Sequence, residues 1–463
     1  EFLLPYVNEY LGKTMGISLL AKPDLLGLIA GVLVFIGLVG GLFPAWFVSG
    51  SKPASILSGG NVLKMSKGGL RGFLVVFQFA ISVGLIIMTF VVHSQTKFAH
   101  SLDTGFETGD RIVLFGTQRG PEETKRIVET LKNELLAYPG IISVAGSSNV
   151  PGLEDFSRMQ GFLLGLDSND QITLSMMSVG NDFFETYGIQ TLAGRDFDPA
   201  FPADQLTGQI SGPEIRRGTA IINVTAANRL GLGLNEAVGQ SIRLNFGTED
   251  AAPYEVRVIG VVPDLHLRSA RDSIEPQIFV NNPQNFDYLS FQVRAGSLDT
   301  ILPEIEAAWD RVMPDQAISW SYVDDILGRQ YLAEDRQGLT LTVAAILATV
   351  IASMGLYGMA AFAVEQKTKE IGVRKVFGAT IPDILRLIIF QFSKPVLVAN
   401  LIAWPVAWYF LSDWLGAFVY RIDLNPMFFV GASFMALLVA WVAVGGHAIR
   451  VAGTNPVNVL KSE

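Results

Sequence analysis

Three polar side chains alternate directly after one predicted strand. Asp264, His266 and Arg268 follow the β-branched run at residues 254–262, and such a set of groups could bind a metal ion or transfer protons. A metal site, however, needs several ligands that converge on one point. The chain has only four histidines, and no second group of ligands accompanies these three residues. The pattern therefore favours polar residues of a turn over a catalytic or metal site.

Two further patterns are weaker candidates for ligand binding. Asp196 and Asp198 lack the glycine and the downstream glutamate of a calcium-binding loop, so we expect them to cap a turn or to face solvent. Gly231 and Gly233 begin a pattern that is typical of dinucleotide-binding loops, but Glu236 occupies the position of the third glycine. This second pattern indicates a plain turn.

Two absences from the sequence restrict the chemistry of the chain. It contains no cysteine, which excludes disulfides, thiolate metal ligands and cysteine nucleophiles. No segment matches the Walker A pattern G-x-x-x-x-G-K-[ST], whose glycine-rich loop and lysine hold nucleotide phosphates. We therefore predict that the chain is not itself an ATPase. The sequence likewise shows no catalytic set of residues that would support a hydrolase anchored to the outer side of a membrane.

The most informative segment is basic, contains two glycines and lies between two apolar stretches. Residues 369–380 read KEIGVRKVFGAT. Gly372 and Gly378 allow another backbone to approach closely, while Arg374 and Lys375 could meet acidic groups of a partner protein. The alternative is that these cations only set the membrane topology and face lipid headgroups. The spacing favours contact with a partner.

A helix is expected to follow this segment. Thr380 can act as its N-cap, with Pro382 at the helix start. Residues 381–393 are strongly apolar with a cation on one side, which predicts an amphipathic helix lying along the membrane surface. Pro395 would then begin a separate membrane span.

Composition places the chain among membrane proteins. Its 463 residues are 50% hydrophobic and only 17% charged, with a mean hydropathy of +0.38, which is too apolar for an ordinary soluble protein. A bilayer-spanning helix takes roughly 20 apolar residues. Five runs qualify, at residues 25–48, 73–93, 339–364, 395–411 and 426–444. Buried helices of a large soluble core are the weaker alternative, because these runs carry almost no charge.

The distribution of charge orients the spans. Residues 49–72 carry four Lys and Arg residues and no acidic residue, so the positive-inside rule makes this loop cytoplasmic. Alternation then places residues 96–336 outside and the basic segment 369–380 inside. Residues 96–336 hold 19 Lys and Arg against 34 Asp and Glu, a net charge of −15 in a chain whose total is −9. An acidic outer domain is thus inserted into a basic, apolar frame.

An internal repeat suggests a longer protein. Residues 22–57 align without a gap with residues 425–460, with seven identities in 36 positions. A proline begins each span, and a Pro-x-x-x-Leu sequence follows it. We expect a matching unit upstream. The predicted division is 1–72 for the end of that preceding unit with one transmembrane helix and a linker, 73–95 for a transmembrane helix, 96–336 for the outer domain, and 337–463 for a domain with three transmembrane helices.

The outer domain should combine strands and helices. Runs rich in β-branched or aromatic residues predict strands at residues 111–115, 219–224, 254–262, 277–280 and 289–293. Apolar residues at three- and four-residue intervals predict helices at residues 122–137 and 299–312. The predicted fold class is an α-helical membrane protein of five transmembrane helices with a large inserted α+β extracytoplasmic domain.

The residues already described carry a resemblance to a known family. The segment KEIGVRKVFGAT resembles the E-I-G-hydrophobic-R-x-x-G-A signature of FtsX-like ABC transporter permeases. The outer stretches VIGVVPDLHLRSARDSIEPQIFV, VGNDFFETYGIQTLAGRDF and NEAVGQSI are similar to the MacB-like periplasmic core domain, and ANLIAWPVAWYFL and WLGAFVYRIDL also fit the family. The resemblance covers essentially the whole chain.

This resemblance implies a permease subunit of the mechanotransmission type in the bacterial plasma (inner) membrane, surrounded by membrane lipid. A separate cytoplasmic ABC ATPase dimer would bind ATP and Mg, so no cofactor is expected in this chain. ATP hydrolysis by that dimer would move the extracytoplasmic domain for export or extrusion of a hydrophobic compound, a peptide or a lipoprotein. A periplasmic adaptor is a further implied partner, and no nucleic acid is implied. The residues implied at the ATPase are Lys369, Glu370, Gly372, Arg374, Lys375, Gly378, Ala379 and Thr380.

A different class of function is a membrane-bound sensor or signalling receptor whose extracytoplasmic domain binds a ligand. Such a receptor needs a cytoplasmic output domain. Only about 19 residues follow the last predicted span in this chain, which disfavours a receptor.

Overall fold

The computed structural model describes residues 23, 26–31, 33–35, 37–38, 62–153, 156–164, 171–206, 215–245, 253–366 and 368–452. The chain divides into two compact units, which are described separately. One unit combines Glu1–Gln95, Ala333–Leu415 and Asp423–Glu463. The other unit combines Thr96–Leu332 with the short segment Gly416–Ile422, and we call it the outer domain because the sequence predicts that it lies outside the membrane.

The outer domain contains eleven strands among its described residues. In chain order, the described elements up to the end of this domain are α1 (Val62–His100), β1 (Arg111–Phe115), α2 (Pro121–Leu136), β2 (Ile141–Ser147), β3 (Ser157–Leu163), β4 (Ile172–Ser178), α3 (Phe183–Thr186), β5 (Ala193–Gly194), β6 (Arg216–Asn223), α4 (Val224–Arg229), α5 (Leu234–Ala237), β7 (Ser241–Asn245), β8 (Tyr254–Val262), β9 (Gln277–Val280), β10 (Tyr288–Val293), α6 (Leu298–Val312), β11 (Trp320–Tyr322) and α7 (Val323–Arg329). The predicted α+β class of this domain is confirmed.

One part of the outer domain is an antiparallel sheet covered by two helices. Its strands have the order β11-β1-β10-β2, and α2 and α6 pack against it through their apolar stripes. Trp309 of α6 is fully buried in this core, and its indole N–H donates a hydrogen bond of 2.7 Å to the carbonyl oxygen of Gln316. Burial of such amphipathic faces supplies most of the stability of short helices.

The other part of the outer domain is a small closed barrel. Strands β8, β6, β9, β4, β3 and β7 are neighbours in that order, and β7 pairs again with β8. Side chains that point inward fill the barrel with an apolar core, which includes Leu174, Ala220, Ile222, Val256 and Ile278. Closure leaves these six strands without a free edge. The short strand β5 adds to the second half of β8.

The other unit is built from long apolar helices. The long helices are α1, shared with the outer domain, α8 (Leu332–Gln366), α10 (Ile381–Gly416) and α11 (Pro426–Ala452), and the short helix α9 (Thr368–Val376) lies between α8 and α10 in the chain. Within the described part of the chain, four helical stretches are long and apolar enough to cross a membrane: Gly72–His100, Leu332–Ala363, Ile381–Gly416 and Pro426–Gly446. These correspond to four of the five predicted spans. The span predicted at residues 25–48 lies largely outside the described residues and stays a prediction.

One boundary prediction was wrong. Residues 381–393 do not form a separate surface helix, because α10 continues through Pro395 and Pro405 to Gly416. Proline removes one main-chain donor but leaves the helix possible where neighbouring helices and hydroxyl groups satisfy nearby polar groups. Here Trp441 of α11 donates its indole N–H to the hydroxyl of Ser393 over 2.9 Å.

Polar side chains within the apolar helices bond neighbouring helices, and Asn400 is an example. Its amide nitrogen donates to the carbonyl oxygen of Val396 over 2.9 Å, and its amide oxygen lies 2.8 Å from the hydroxyl of Ser433 on α11. Trp404 adds a 3.0 Å hydrogen bond to the same hydroxyl. These contacts hold α10 against α11 and give Asn400 a structural role.

Candidate functional site

The segment of residues 368–380, called here the connecting segment, is a short helix followed by a tight turn. Helix α9 ends at Val376, and Gly378 then adopts a left-handed backbone conformation with φ of 92°. The main-chain N–H of Ala379 donates back to the carbonyl oxygen of Arg374 over 3.0 Å. This is the glycine cap that commonly ends helices, and a residue with a Cβ would be strained there. Gly378 therefore shapes the backbone of the segment.

Thr380 lies at the predicted N-cap position of α10, and the capping contact comes from the side chain of Asp383. Both the main-chain N–H and the hydroxyl of Thr380 donate to a carboxylate oxygen of Asp383, over 3.0 and 2.6 Å. These bonds satisfy polar groups at a helix terminus that have no partner within the helix. The turn between α9 and α10 is therefore fixed at both ends, by Gly378 and by Thr380.

The connecting segment has a buried face and an exposed apolar face. Ile371 is only 7% exposed, and it lines a cavity of about 60 Å³ together with Ile384 and Ile388 of α10. Phe377 is 87% exposed and Val376 is 64% exposed. Large apolar side chains so exposed, rimmed by polar residues, mark contact sites for a membrane or for another protein.

Phe377 was missed by the sequence analysis, which singled out the charged residues and glycines around it. A signal was available, because Val373, Val376 and Phe377 have the three- and four-residue spacing of one helix face. Val373 is also exposed. The exposed face of the segment is therefore apolar as well as basic.

Arg374 has a partner within its own helix. Its guanidinium lies 2.8 Å from the carboxylate of Glu370, one helical turn away, and both side chains are about half exposed. An exposed ion pair of this kind contributes only about 0.3–0.5 kcal/mol to stability. A partner protein that binds Arg374 or Glu370 more strongly could therefore replace it. Among the other predicted residues, Lys369, Gly372 and Lys375 lie in α9, and Ala379 lies in the turn. All eight predicted residues thus occupy one continuous stretch.

The polar residues that alternate after β8 have three different structural partners. Asp264 accepts hydrogen bonds of 2.9 and 2.8 Å from the main chain and the hydroxyl of Thr225. Arg268 lies 3.2 Å from the carboxylate of Glu275. His266 packs its ring against Tyr420 with a centroid distance of 4.7 Å. Within the described residues, no group of three or more His, Cys, Asp or Glu could hold a metal ion, and the turn interpretation accounts for each side chain.

The segment Gly416–Ile422, called here the 416–422 segment, is built into the outer domain although it connects α10 to α11. The main-chain N–H of Tyr420 donates to the carbonyl oxygen of Ala270 over 3.0 Å. Phe418 is only 3% exposed, and the guanidinium of Arg271 lies 4.1 Å from the centre of its ring. A connection between two membrane helices is therefore fixed to the loop at residues 265–271.

That loop is bound to the rest of the outer domain as well. The main-chain N–H of Ala270 donates to the hydroxyl of Tyr331 over 2.9 Å, directly before α8 begins. The main-chain N–H of His266 donates to the carbonyl oxygen of Thr104, four residues after α1 ends, over 2.9 Å. Chain segments adjoining α1, α8, α10 and α11 thus meet at one loop. Sequence analysis missed this, because no local pattern shows where a short connection packs.

Asp196 gives the outer domain a titratable group with an unusual pKa. Burial is the main cause that raises the pKa of its carboxyl to about 6, and the charges of Asp182 and Glu185 raise it further. A hydrogen bond of 2.7 Å from the main chain of Phe197 acts in the opposite direction. The carboxylate that the sequence placed in a cap or in solvent is thus half-buried and accepts a main-chain hydrogen bond.

Replacing Asp196 by asparagine should therefore stabilise the outer domain at neutral pH. A carboxyl with a raised pKa favours folding while it is protonated, so its contribution is complete below the unfolded pKa and is lost as pH rises through about 6. We expect the unfolding temperature of Asp196→Asn in the full chain to rise by roughly 2–4 °C at neutral pH, the shift that about 1 kcal/mol produces in a domain of this size. The exposed Asp198→Asn is the matched control. If the unfolding temperature of Asp196→Asn depended on pH in the same way as that of the wild type, the raised pKa of Asp196 would be contradicted.

Two family models match the chain. The MacB-like periplasmic core domain matches residues 73–308, which is slightly more than half of the chain, and the FtsX-like permease C-terminal domain matches residues 342–456. The second match includes the whole connecting segment. The first includes the loop at residues 265–271.

Individual relatives are distant. The macrolide export ATP-binding/permease protein MacB of Chromobacterium violaceum is 22% identical over 305 residues, which are 64% of this chain and 44% of that protein. The chain thus spans less than half the length of this curated relative. Among solved structures, the periplasmic region of MacB from Actinobacillus actinomycetemcomitans is 14% identical with a TM-score of 0.32, and the match covers 49% of this chain and 94% of that one.

A second solved structure is the extracellular domain of the ABC-type transporter YknZ from Gram-positive bacteria, which is 15% identical with a TM-score of 0.31 and covers 46% of this chain and 99% of that one. Because these TM-scores are low, the family assignment rests on the two family models and not on the solved structures. Because one model covers more than half of the chain and the other follows it in sequence, the chain belongs to the family of ABC transporter permeases with a MacB-like periplasmic core domain and an FtsX-like permease domain.

Proposed function

We propose that this chain is the permease subunit of a mechanotransmission ABC transporter in the bacterial inner membrane. A separate cytoplasmic ATPase dimer binds the connecting segment and moves the membrane helices, and the outer domain uses that movement to export or extrude a hydrophobic compound, a peptide or a lipoprotein. The observation that carries the proposal is the 416–422 segment, because it belongs to the outer domain while the helices on either side of it are candidate membrane spans.

The helices themselves support a mechanical role. Helix α1 is uninterrupted from Val62 to His100 and continues across the boundary between the two units. A continuous helix transmits displacement along its axis because its main-chain hydrogen bonds are satisfied internally. The four candidate spans are strongly apolar, whereas transporters that carry polar solutes between their own helices place ionisable residues at membrane depth. The composition of these spans therefore fits a role in transmitting movement better than a role as a path for polar solutes.

The connecting segment supports the ATPase contact. It joins two candidate spans on the side that the positive-inside rule assigns to the cytoplasm. Its exposed face combines the apolar side chains of Val373, Val376 and Phe377 with the guanidinium of Arg374. Aromatic and arginine side chains are the most frequent anchors of protein interfaces. In this proposal the ATPase holds ATP and Mg, and this chain binds no cofactor.

Hydrogen exchange on the full chain tests the proposal. The permease is purified with its ATPase in nanodiscs, and exchange is compared with and without ATP and vanadate, which holds the ATPase closed. We expect exchange to change in the loop at residues 265–271 and in strand β8 of the outer domain, because movement of the spans reaches them. An ATPase variant that binds but does not hydrolyse ATP is the control for turnover. ATP hydrolysis without any change in outer-domain exchange would contradict mechanotransmission.

A further inference from the structure

A cleft on the outside of the barrel has the opposite charge from the domain that contains it. Its volume is about 690 Å³, within the range of roughly 300–1,000 Å³ typical of small-molecule sites. Arginines from three different elements line it: Arg195 after β5, Arg217 on β6 and Arg257 on β8. The surrounding residues 96–336 carry a net charge of −15, so this group of cations is a local exception.

Among the described residues, one carboxylate lines the cleft, and it is already neutralised. Asp204 has a side chain that is only 2% exposed, and it accepts two hydrogen bonds from Arg195, of 2.6 and 2.8 Å. The hydroxyl of Thr219 adds a third at 3.1 Å. Burial alone would raise the pKa of Asp204, but the hydrogen bonds from Arg195 hold it below its usual range. Asp204 therefore fixes Arg195 and offers little negative charge to the cleft.

Of the other two arginines, Arg257 is the one whose charge is available to a ligand. Arg257 is exposed, and among the residues that the structure describes no carboxylate lies within ion-pair distance of it. Arg217 is 70% exposed and lies 3.5 Å from Glu255, a carboxylate that also contacts Arg243. In the register of the parallel pair β6 and β8, Arg217 is opposite Glu255 and diagonal to Arg257, so both can reach one ligand.

The remaining walls of the cleft are apolar or lack side chains. Phe201 is half exposed and lies under the guanidinium of Arg195 at 4.5 Å, and Val238 and Ile259 line the cleft beside it. Gly194 has a φ of 77°, and a Cβ there would lie 2.1 Å from the carbonyl oxygen of Ile259. Only glycine fits this position, where the chain lies directly against the main chain of β8.

We propose that this cleft binds a small amphiphilic oxyanion, a carboxylate or phosphate attached to an apolar or aromatic group. The oxyanion lies between Arg257 and Arg217, whose guanidinium groups can donate paired hydrogen bonds to two oxygens. The apolar part of the ligand lies against Phe201, Val238 and Ile259. The site does not depend on the connecting segment or on the proposed transmission of movement. A test that contradicts the binding site therefore leaves the proposed function untouched, and the reverse also holds.

Fluorine NMR on the full chain in nanodiscs tests this site with three soluble probes: fluorobenzoate, fluorophenyl phosphate and the neutral fluorobenzyl alcohol. We expect both anions to bind and the alcohol not to bind, and we expect added salt to weaken the anions because exposed charges are screened. The ratio of the two anion affinities shows whether carboxylate or phosphate is the preferred group. Equal binding of the alcohol and the anions, or no binding of either anion at concentrations up to roughly 10 mM, would overturn the proposal.

Matched substitutions locate the binding. Arg257→Gln should weaken the better anion about tenfold, the effect of losing one charge-assisted contact, and Arg217→Gln should weaken it by a smaller factor because Arg217 already contacts Glu255. Arg229→Gln is the control, because Arg229 is an exposed arginine at the end of α4 outside the cleft. Arg257 is exposed and forms no ion pair with a described residue, so the substitution should not affect folding, and unchanged thermal unfolding verifies this. Anion affinity that is equal in wild type and in Arg257→Gln would show that the cleft is not the site.

Discussion

Replacing Phe377 by aspartate should weaken the binding of the permease to its ATPase by about a hundredfold, because central aromatic contacts at interfaces contribute roughly 2–4 kcal/mol. Phe377 is 87% exposed in the chain alone, so the substitution removes almost no packing within the permease. An aspartate would also place a negative charge beside Arg374 and Lys375. These two cations are the predicted partners of acidic groups on the ATPase, and the new carboxylate would compete for them.

The measurement is the amount of ATPase that co-purifies with the full chain from membranes, quantified by mass spectrometry of the Walker A-containing subunit, together with ATP turnover of the purified complex. Phe377→Leu keeps an apolar side chain and should retain most of the binding. Ile142→Asp makes the same kind of change at an exposed apolar residue of β2 in the outer domain, and it should not affect the ATPase. If Phe377→Asp co-purifies as well as wild type, the connecting segment does not bind the ATPase through this face.

The strands that the sequence predicted well are those whose own residues favour a strand. Strands β1, β8 and β9 have the predicted bounds, because each is a nearly continuous run of β-branched or apolar residues. Strands β2 and β3 were missed. They contain serine, glycine and glutamine and are held by their neighbours: β3, for example, pairs with β4 on one side and with β7 on the other. Strand pairing of this kind depends on residues far away in the sequence.

The same distinction applies to the candidate site. The signature residues from Lys369 to Thr380 could be found by their local pattern, and the glycine cap at Gly378 has a local cause. The exposed face that includes Phe377 is only partly local. The spacing of Val373, Val376 and Phe377 marks one helix face, but which face of α9 packs against α10 depends on contacts between the two helices. The position of the 416–422 segment depends on contacts with a loop about 150 residues earlier in the chain. Local sequence carries no information about such a contact.

The largest mechanical effect is expected from releasing the 416–422 segment. Phe418 is buried against Arg271, and replacing a buried phenylalanine by alanine typically removes about 3–5 kcal/mol. Phe418→Ala should therefore detach the segment from the loop at residues 265–271. ATP turnover should continue, but the ATP-dependent change in hydrogen exchange of strand β8 should fall at least several-fold. Phe418→Leu, which keeps most of the apolar contact, should behave nearly as wild type.

A disulfide can restore what Phe418→Ala removes, because the chain has no cysteine of its own. Ala270 and Tyr420 share a main-chain hydrogen bond of 3.0 Å, which places their Cα atoms about 5–6 Å apart, within the reach of a disulfide. Ala270→Cys with Tyr420→Cys, oxidised in the Phe418→Ala background, should recover the ATP-dependent exchange of β8, and reduction should remove it again. A full exchange response in Phe418→Ala without the disulfide would mean that movement reaches the outer domain through α1 and α8 alone. Recovery that depends on the disulfide can be explained only by transmission through the 416–422 segment, because the crosslink changes nothing at the ATPase.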